Sequence, residues 1–153
     1  MSEVRSSGPL RWVSETLGGL FRTETLDPKE EVFISVLFAL LGSLARADGV
    51  VTAEEAAHGE DLIDRMGLPK VGRKLAVHSF ERGRAGGLDV EGEIARFLTV
   101  YRASSTHSEQ LLDALLTLAK ADGRMRIPEK SWLTRVGKSL GVDAAVMKER
   151  IGP

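Results

Sequence analysis

The chain has no cysteine. Disulfides, thiolate metal centres and thiol catalysis are therefore excluded, and the composition suits a reducing compartment. Excess positive charge is also missing. The formal net charge is -1, whereas a nucleic-acid binder normally carries a basic face. No secretory signal is read, because residues 1–8 are polar and no apolar run follows them. The longest apolar run, residues 32–44, is about a dozen residues against the roughly 20 that a spanning helix needs, so it reads as a buried core helix. Strand signals are almost absent: Val50-Val51 is a lone β-branched pair between turns. The three histidines, His58, His78 and His107, show no ligand spacing. Ser104, Ser105 and Ser108 lie near His107 but lack a nucleophile elbow. The glycine-rich stretch 83–87 lacks the Lys-Ser/Thr of a phosphate loop and reads as a linker.

What is present is helical periodicity in a chain of 153 residues, 42% of them hydrophobic, enough for one domain with its own core. Residues 1–26 form an N-terminal tail. Within it Leu10, Val13 and Leu17, with Trp12, Leu20 and Phe21, have the spacing of a short amphipathic helix weakened by Gly18-Gly19. Such a helix docks on the domain or touches a membrane or partner, and its polar face lacks the Lys/Arg cluster that would favour a membrane. Residues 27–153 form a helical domain.

That domain opens on Asp27-Pro28-Lys29-Glu30, with a cap, a proline at the first helical position and a glutamate at the third. The helix that follows is apolar over much of its circumference and is placed centrally. Further helices are expected over residues 53–66, 71–82, 89–102 and 108–121. Another begins near Pro128 and ends at Gly141, and Asp143 caps a last one running to about Ile151. The fold class is all-α, a bundle of about seven helices with a repeated helix–turn–helix unit.

The repeat centres on two acidic turns. Leu44-Ala45-Arg46-Ala47-Asp48-Gly49 is matched by Leu118-Ala119-Lys120-Ala121-Asp122-Gly123, and in each copy a glutamate, Glu55 or Glu129, follows seven residues after the aspartate. The match runs on without a gap, so that Gly67 pairs with Gly141. An aspartate at a helix C-terminus faces the negative end of the macrodipole, at a cost of about 0.3–1 kcal/mol. A turn N–H or a cation would offset it. Half of a calcium-binding loop fits, with Asp48 fifth, Gly49 sixth and Glu55 twelfth. The other half fails, because the first and third positions would be Leu44 and Arg46, or Leu118 and Lys120. Two half-sites remain. If the bundle brought the turns together, Asp48, Glu55, Asp122 and Glu129 could hold one or two divalent cations, calcium or magnesium. The alternative is structural: Thr52 and Glu55 fit a capping box, whereas Arg126, in the place of Thr52, cannot cap with its side chain.

These pieces, with residues 62–68, 80–84 and 139–142, resemble the TerB-like domains of tellurite-resistance proteins and, more closely, the TerB-like region of the DjlA-type co-chaperones. The resemblance covers about residues 32–151. It implies an all-helical domain whose acidic residues bind metal, a role that maps onto Asp48, Glu55, Asp122 and Glu129. The co-chaperones also carry a membrane helix and a J domain. This sequence shows no spanning segment and no His-Pro-Asp motif, so stimulation of a chaperone ATPase is not implied. The expected function is a non-enzymatic, metal-binding TerB-like adaptor in stress or co-chaperone-associated roles. Its partner is a protein, not nucleic acid. Its location is the cytoplasm, with membrane-peripheral contact through residues 10–21 as the alternative. A metal-free interaction domain is the competing reading, and a metal-dependent hydrolase ranks last because no general base stands out.

Overall fold

A computed structural model describes residues 26–47, 63–64, 67–120 and 125–152. Six helices lie among them: α1 Pro28–Ala45, α2 Lys70–Arg84, α3 Val90–Leu98, α4 Thr106–Ala119, α5 Ile127–Ser139 and α6 Ala144–Ile151. No strand occurs among the described residues, and the all-α class stands. The tail, residues 1–25, and most of the helix expected over residues 53–66 lie outside them; of that helix Ile63 and Asp64 are described and helical.

α1 starts as its sequence dictates. Glu30 N–H donates to Asp27 Oδ1 at 2.9 Å and Asp27 N–H donates to Glu30 Oε1 at 3.1 Å, a reciprocal capping box with Pro28 just inside it. Every residue from Phe33 to Gly42 is buried. A helix buried on all sides needs neighbours on all sides, and α1 packs against α2, α3 and α4. Phe33 stands at the centre of an aromatic group, edge-on to Phe97, Tyr101 and His107. Tyr101 donates its hydroxyl to the Lys29 carbonyl at 2.8 Å. Burial, then the negative charges of Asp27 and Glu30, push this phenol up to about 12.

The closest helix contact is between α1 and α2. A Cβ built on Gly83 would overlap the Ala39 carbonyl oxygen, and one on Gly42 would overlap the Phe80 carbonyl oxygen. The linker expected at residues 83–87 therefore begins later: α2 continues through Gly83 and Arg84, because the crossing requires a residue without a side chain inside the helix. Two other boundaries also differ. α3 stops at Leu98 rather than near Arg102, where Thr99 Oγ1 donates to the Arg96 carbonyl at 2.6 Å and Tyr101 N–H turns back to Phe97 O. α4 starts at Thr106, two residues earlier than expected, because the Ser105 hydroxyl accepts from Ser108 N–H at 3.2 Å.

The repeat is visible in the tertiary structure. α6 begins at Ala144, the counterpart of Lys70, where α2 begins. The paired glycines preceding them, Gly67 and Gly141, both have positive φ, 62° and 85°, the left-handed turn that glycine adopts without steric cost.

Candidate functional site

Of the four acidic residues singled out in the sequence, Asp48, Glu55 and Asp122 lie outside the described residues. Glu129 lies in the first turn of α5. Its Oε1 accepts the Arg126 N–H at 2.9 Å. That is one half of a capping box, the half that needs no acceptor on the preceding side chain. The second copy thus keeps a cap through Glu129 alone, although Arg126 offers no oxygen. The bond uses one carboxylate oxygen. Among the described residues no group of three or more His, Asp or Glu side chains could hold a metal.

The residues that precede the two turns follow one plan. Arg46, two residues before Asp48, donates from Nη1 to the Arg84 carbonyl at 3.1 Å, at the C-terminal end of α2. Lys120, two residues before Asp122, donates from Nζ to the Arg150 carbonyl at 2.6 Å, at the C-terminal end of α6. In each copy the basic residue that precedes the acidic turn binds a last-turn carbonyl of the helix that opens three residues after the paired glycine, Gly67 or Gly141. Such carbonyls have no intrahelical partner and sit at the negative end of the dipole. Arg150 ties the same helix to α4 through Glu109 at 3.0 Å and Asp113 at 3.9 Å. Burial raises the Asp113 carboxyl, opposed by Arg150 and reinforced by Glu109. α5 reaches the end of α1, where Trp132 Nε1 donates to Ser43 Oγ at 3.2 Å. Trp132 is buried. His107 tilts over Tyr101 at 4.5 Å, and Ser108 is buried rather than open to a substrate.

A second feature has no counterpart in the sequence reading. Glu93 of α3, with its side chain only 12% exposed, receives Arg82 Nη1 at 2.7 Å and Arg96 Nη2 at 3.2 Å. Ser35, a hydroxyl set within the apolar face of α1, receives Arg96 Nη2 at 2.7 Å. Two guanidiniums, one carboxylate and one serine thus join α1, α2 and α3. Beside them opens a groove of about 320 Å³ lined by Glu31, Val32, Ser35, Val71, Leu75 and Arg96. Ser35 was the only signal in the sequence, a polar residue amid the α1 apolar run, and nothing local tells which arginine it meets.

Paired helical units joined through glycine turns, each with a basic residue anchored beside an acidic turn, define a class of all-α repeat bundle. The chain belongs to the TerB family: the family model described as tellurite resistance protein TerB matches residues 26–149. It is similar to the co-chaperone protein DjlA of Vibrio parahaemolyticus, 25% identical over 134 residues, covering 88% of this chain and 47% of that protein. It is also similar to the DjlA proteins of Pasteurella multocida, 29% identical over 114 residues (74% and 40%), and Haemophilus influenzae, 26% identical over 123 residues (80% and 43%). The chain spans less than half the length of these relatives. No solved structure matches it. Among the described residues no helix is long and apolar enough to cross a membrane.

Proposed function

We propose that this chain is a non-enzymatic protein-binding module of a chaperone-associated system, with a divalent cation, calcium or magnesium, held at its acidic turns. The family match over residues 26–149 carries the reading. The co-chaperone relatives supply its direction, and because the chain corresponds to less than half of them, what is carried over is an adaptor role. The hard carboxylate oxygens of Asp48, Glu55, Asp122 and Glu129 suit such a cation. Two observations support the fit. Glu129 spends one oxygen on the Arg126 N–H and keeps a second. Arg46 and Lys120, each two residues before an aspartate, are drawn to helix C-termini, while Arg124 and Arg126 follow Asp122 in the sequence. Bound there, the ion would neutralise the carboxylates and lock the two turns. The capping bond of Glu129 favours a second reading, a metal-free interaction domain in which the acids serve turns alone.

Thermal unfolding in calcium or magnesium separates the two. Binding to the native state alone adds about 2.7 kcal/mol at a hundredfold excess over Kd. At about 2–4 °C per kcal/mol for a domain of this size, the melting temperature rises by about 5–10 °C. Glu129→Gln keeps an acceptor for the Arg126 N–H and removes the charge, so it lowers the metal response while leaving the metal-free melting temperature in place. Asp48→Asn with Asp122→Asn abolishes the response. A wild-type melting temperature that stays flat in millimolar calcium and magnesium establishes the metal-free reading. The adaptor role is tested by titration calorimetry of the chain with a purified chaperone ATPase and with its J-domain partner; heat with neither removes it.

A further inference from the structure

The groove at the start of α1 has three apolar walls, Val32, Val71 and Leu75, between the opposite charges of Glu31 and Arg96. Val71 is 49% exposed, one of three large hydrophobic residues left open among the described residues. We infer that residues 10–21 of this same chain occupy the groove, laying their apolar stripe against Val32, Val71 and Leu75.

Three observations select this occupant. The first is where the chain enters the fold. Leu26 packs at the buried Gly72, its Cδ1 3.6 Å from where a Cβ would stand, and Gly72 follows Val71 directly. The chain preceding α1 thus arrives beside the groove. Only Arg22 to Thr25 separate Phe21 from Leu26, a reach of about 15 Å when extended. So short a tether gives an effective concentration on the order of millimolar, which no separate partner matches at ordinary levels. The second is the pattern of the segment: Leu10, Val13 and Leu17 share one helical face, with Leu20 and Phe21 continuing it. The third is charge. The segment carries Arg11 and Glu15, both signs, as the rim does in Glu31 and Arg96. A membrane would favour a purely basic polar face instead. This inference is independent of the acidic turns and of the chaperone reading, since it uses none of their residues.

The absence of cysteine makes the test clean. A nitroxide on Thr16→Cys is the sole label in the full chain, and methyl spectra report which side chains lie near it. The Val32, Val71 and Leu75 signals are expected to lose more than half their intensity, while Ile127 on α5 and Val146 on α6 keep theirs. Val71→Glu, at an exposed position that leaves the melting temperature unchanged, restores the Val32 and Leu75 signals. Leu17→Glu does the same from the other side. Equal broadening over all surface methyls overturns the inference, as does broadening that survives both substitutions. Broadening that appears when spin label and isotope are on different molecules assigns the groove to a second copy of the chain and also overturns it.

Discussion

Replacing Gly83 by alanine tests the contact on which the helical bundle closes. In an open helix the change would favour folding by about 1 kcal/mol through helix propensity. Here the new Cβ would overlap the Ala39 carbonyl oxygen and stand 3.0 Å from the Ser43 nitrogen. Both are backbone atoms of α1, which is buried from Phe33 to Gly42 and cannot rotate away. α1 and α2 must therefore separate. Overpacking of this kind costs about 1–3 kcal/mol, and obstruction by backbone rather than a flexible side chain puts the net loss at about 2–3 kcal/mol. The melting temperature should fall by about 5–10 °C, at about 2–4 °C per kcal/mol. Gly72→Ala in the same helix is the control. Its Cβ would meet Ile34, Leu68 and Leu26 side chains at 3.4–3.6 Å, ordinary contact, so it should be neutral or slightly stabilising. Gly42→Ala lies at the same crossing, and combined with Gly83→Ala it should cost less than the two separately, because the helices part once. Urea unfolding followed by circular dichroism reads all four proteins. If Gly83→Ala is as stable as Gly72→Ala, the close crossing is wrong.

Three further outcomes are expected. Tyr101 is the one tyrosine in the chain, so phenolate absorbance titrates it alone; the folded protein should ionise near 12 rather than the ordinary 10.0. The raised folded value means that the stability this group contributes is fully present below pH 10 and is lost as pH rises toward 12, a decline that Tyr101→Phe should lack. Glu93→Gln leaves Arg82 and Arg96 without their shared carboxylate, and since both arginines are partly solvated the loss should be about 1–2 kcal/mol in urea unfolding; an unchanged midpoint would mean that the pair contributes nothing. Ser105→Ala removes the acceptor for Ser108 N–H and should cost about 1 kcal/mol, with hydrogen exchange accelerated first at the start of α4; uniform acceleration would count against a local cap.

Some of this architecture follows from residues close together in the chain. The Asp27–Glu30 box, the glycine stops at Gly67 and Gly141, and the Asp143 cap, whose Oδ2 accepts Ala145 N–H at 3.0 Å, join residues two or three apart. Spacing alone encodes such bonds. The same holds for the burial of α1, since a helix apolar on every side has no face to give to water. The repeat was legible because duplicated turns keep duplicated residues, and with it the family and the acidic residues to ask about. Helix ends were less legible. Gly83 reads locally as a breaker, yet the Ala39 carbonyl across the crossing makes it a helix residue. Glu129 looked free of a capping duty because Arg126 cannot cap, whereas the backbone N–H of Arg126 supplied the partner. Ser35 meets Arg96 sixty-one positions away, Arg46 meets the carbonyl of Arg84, Lys120 that of Arg150, and Val71 lines a groove with Val32. Each of these pairings depends on the angle and distance at which whole helices cross. Crossing geometry is set by the summed packing of the core, which no short stretch of sequence contains.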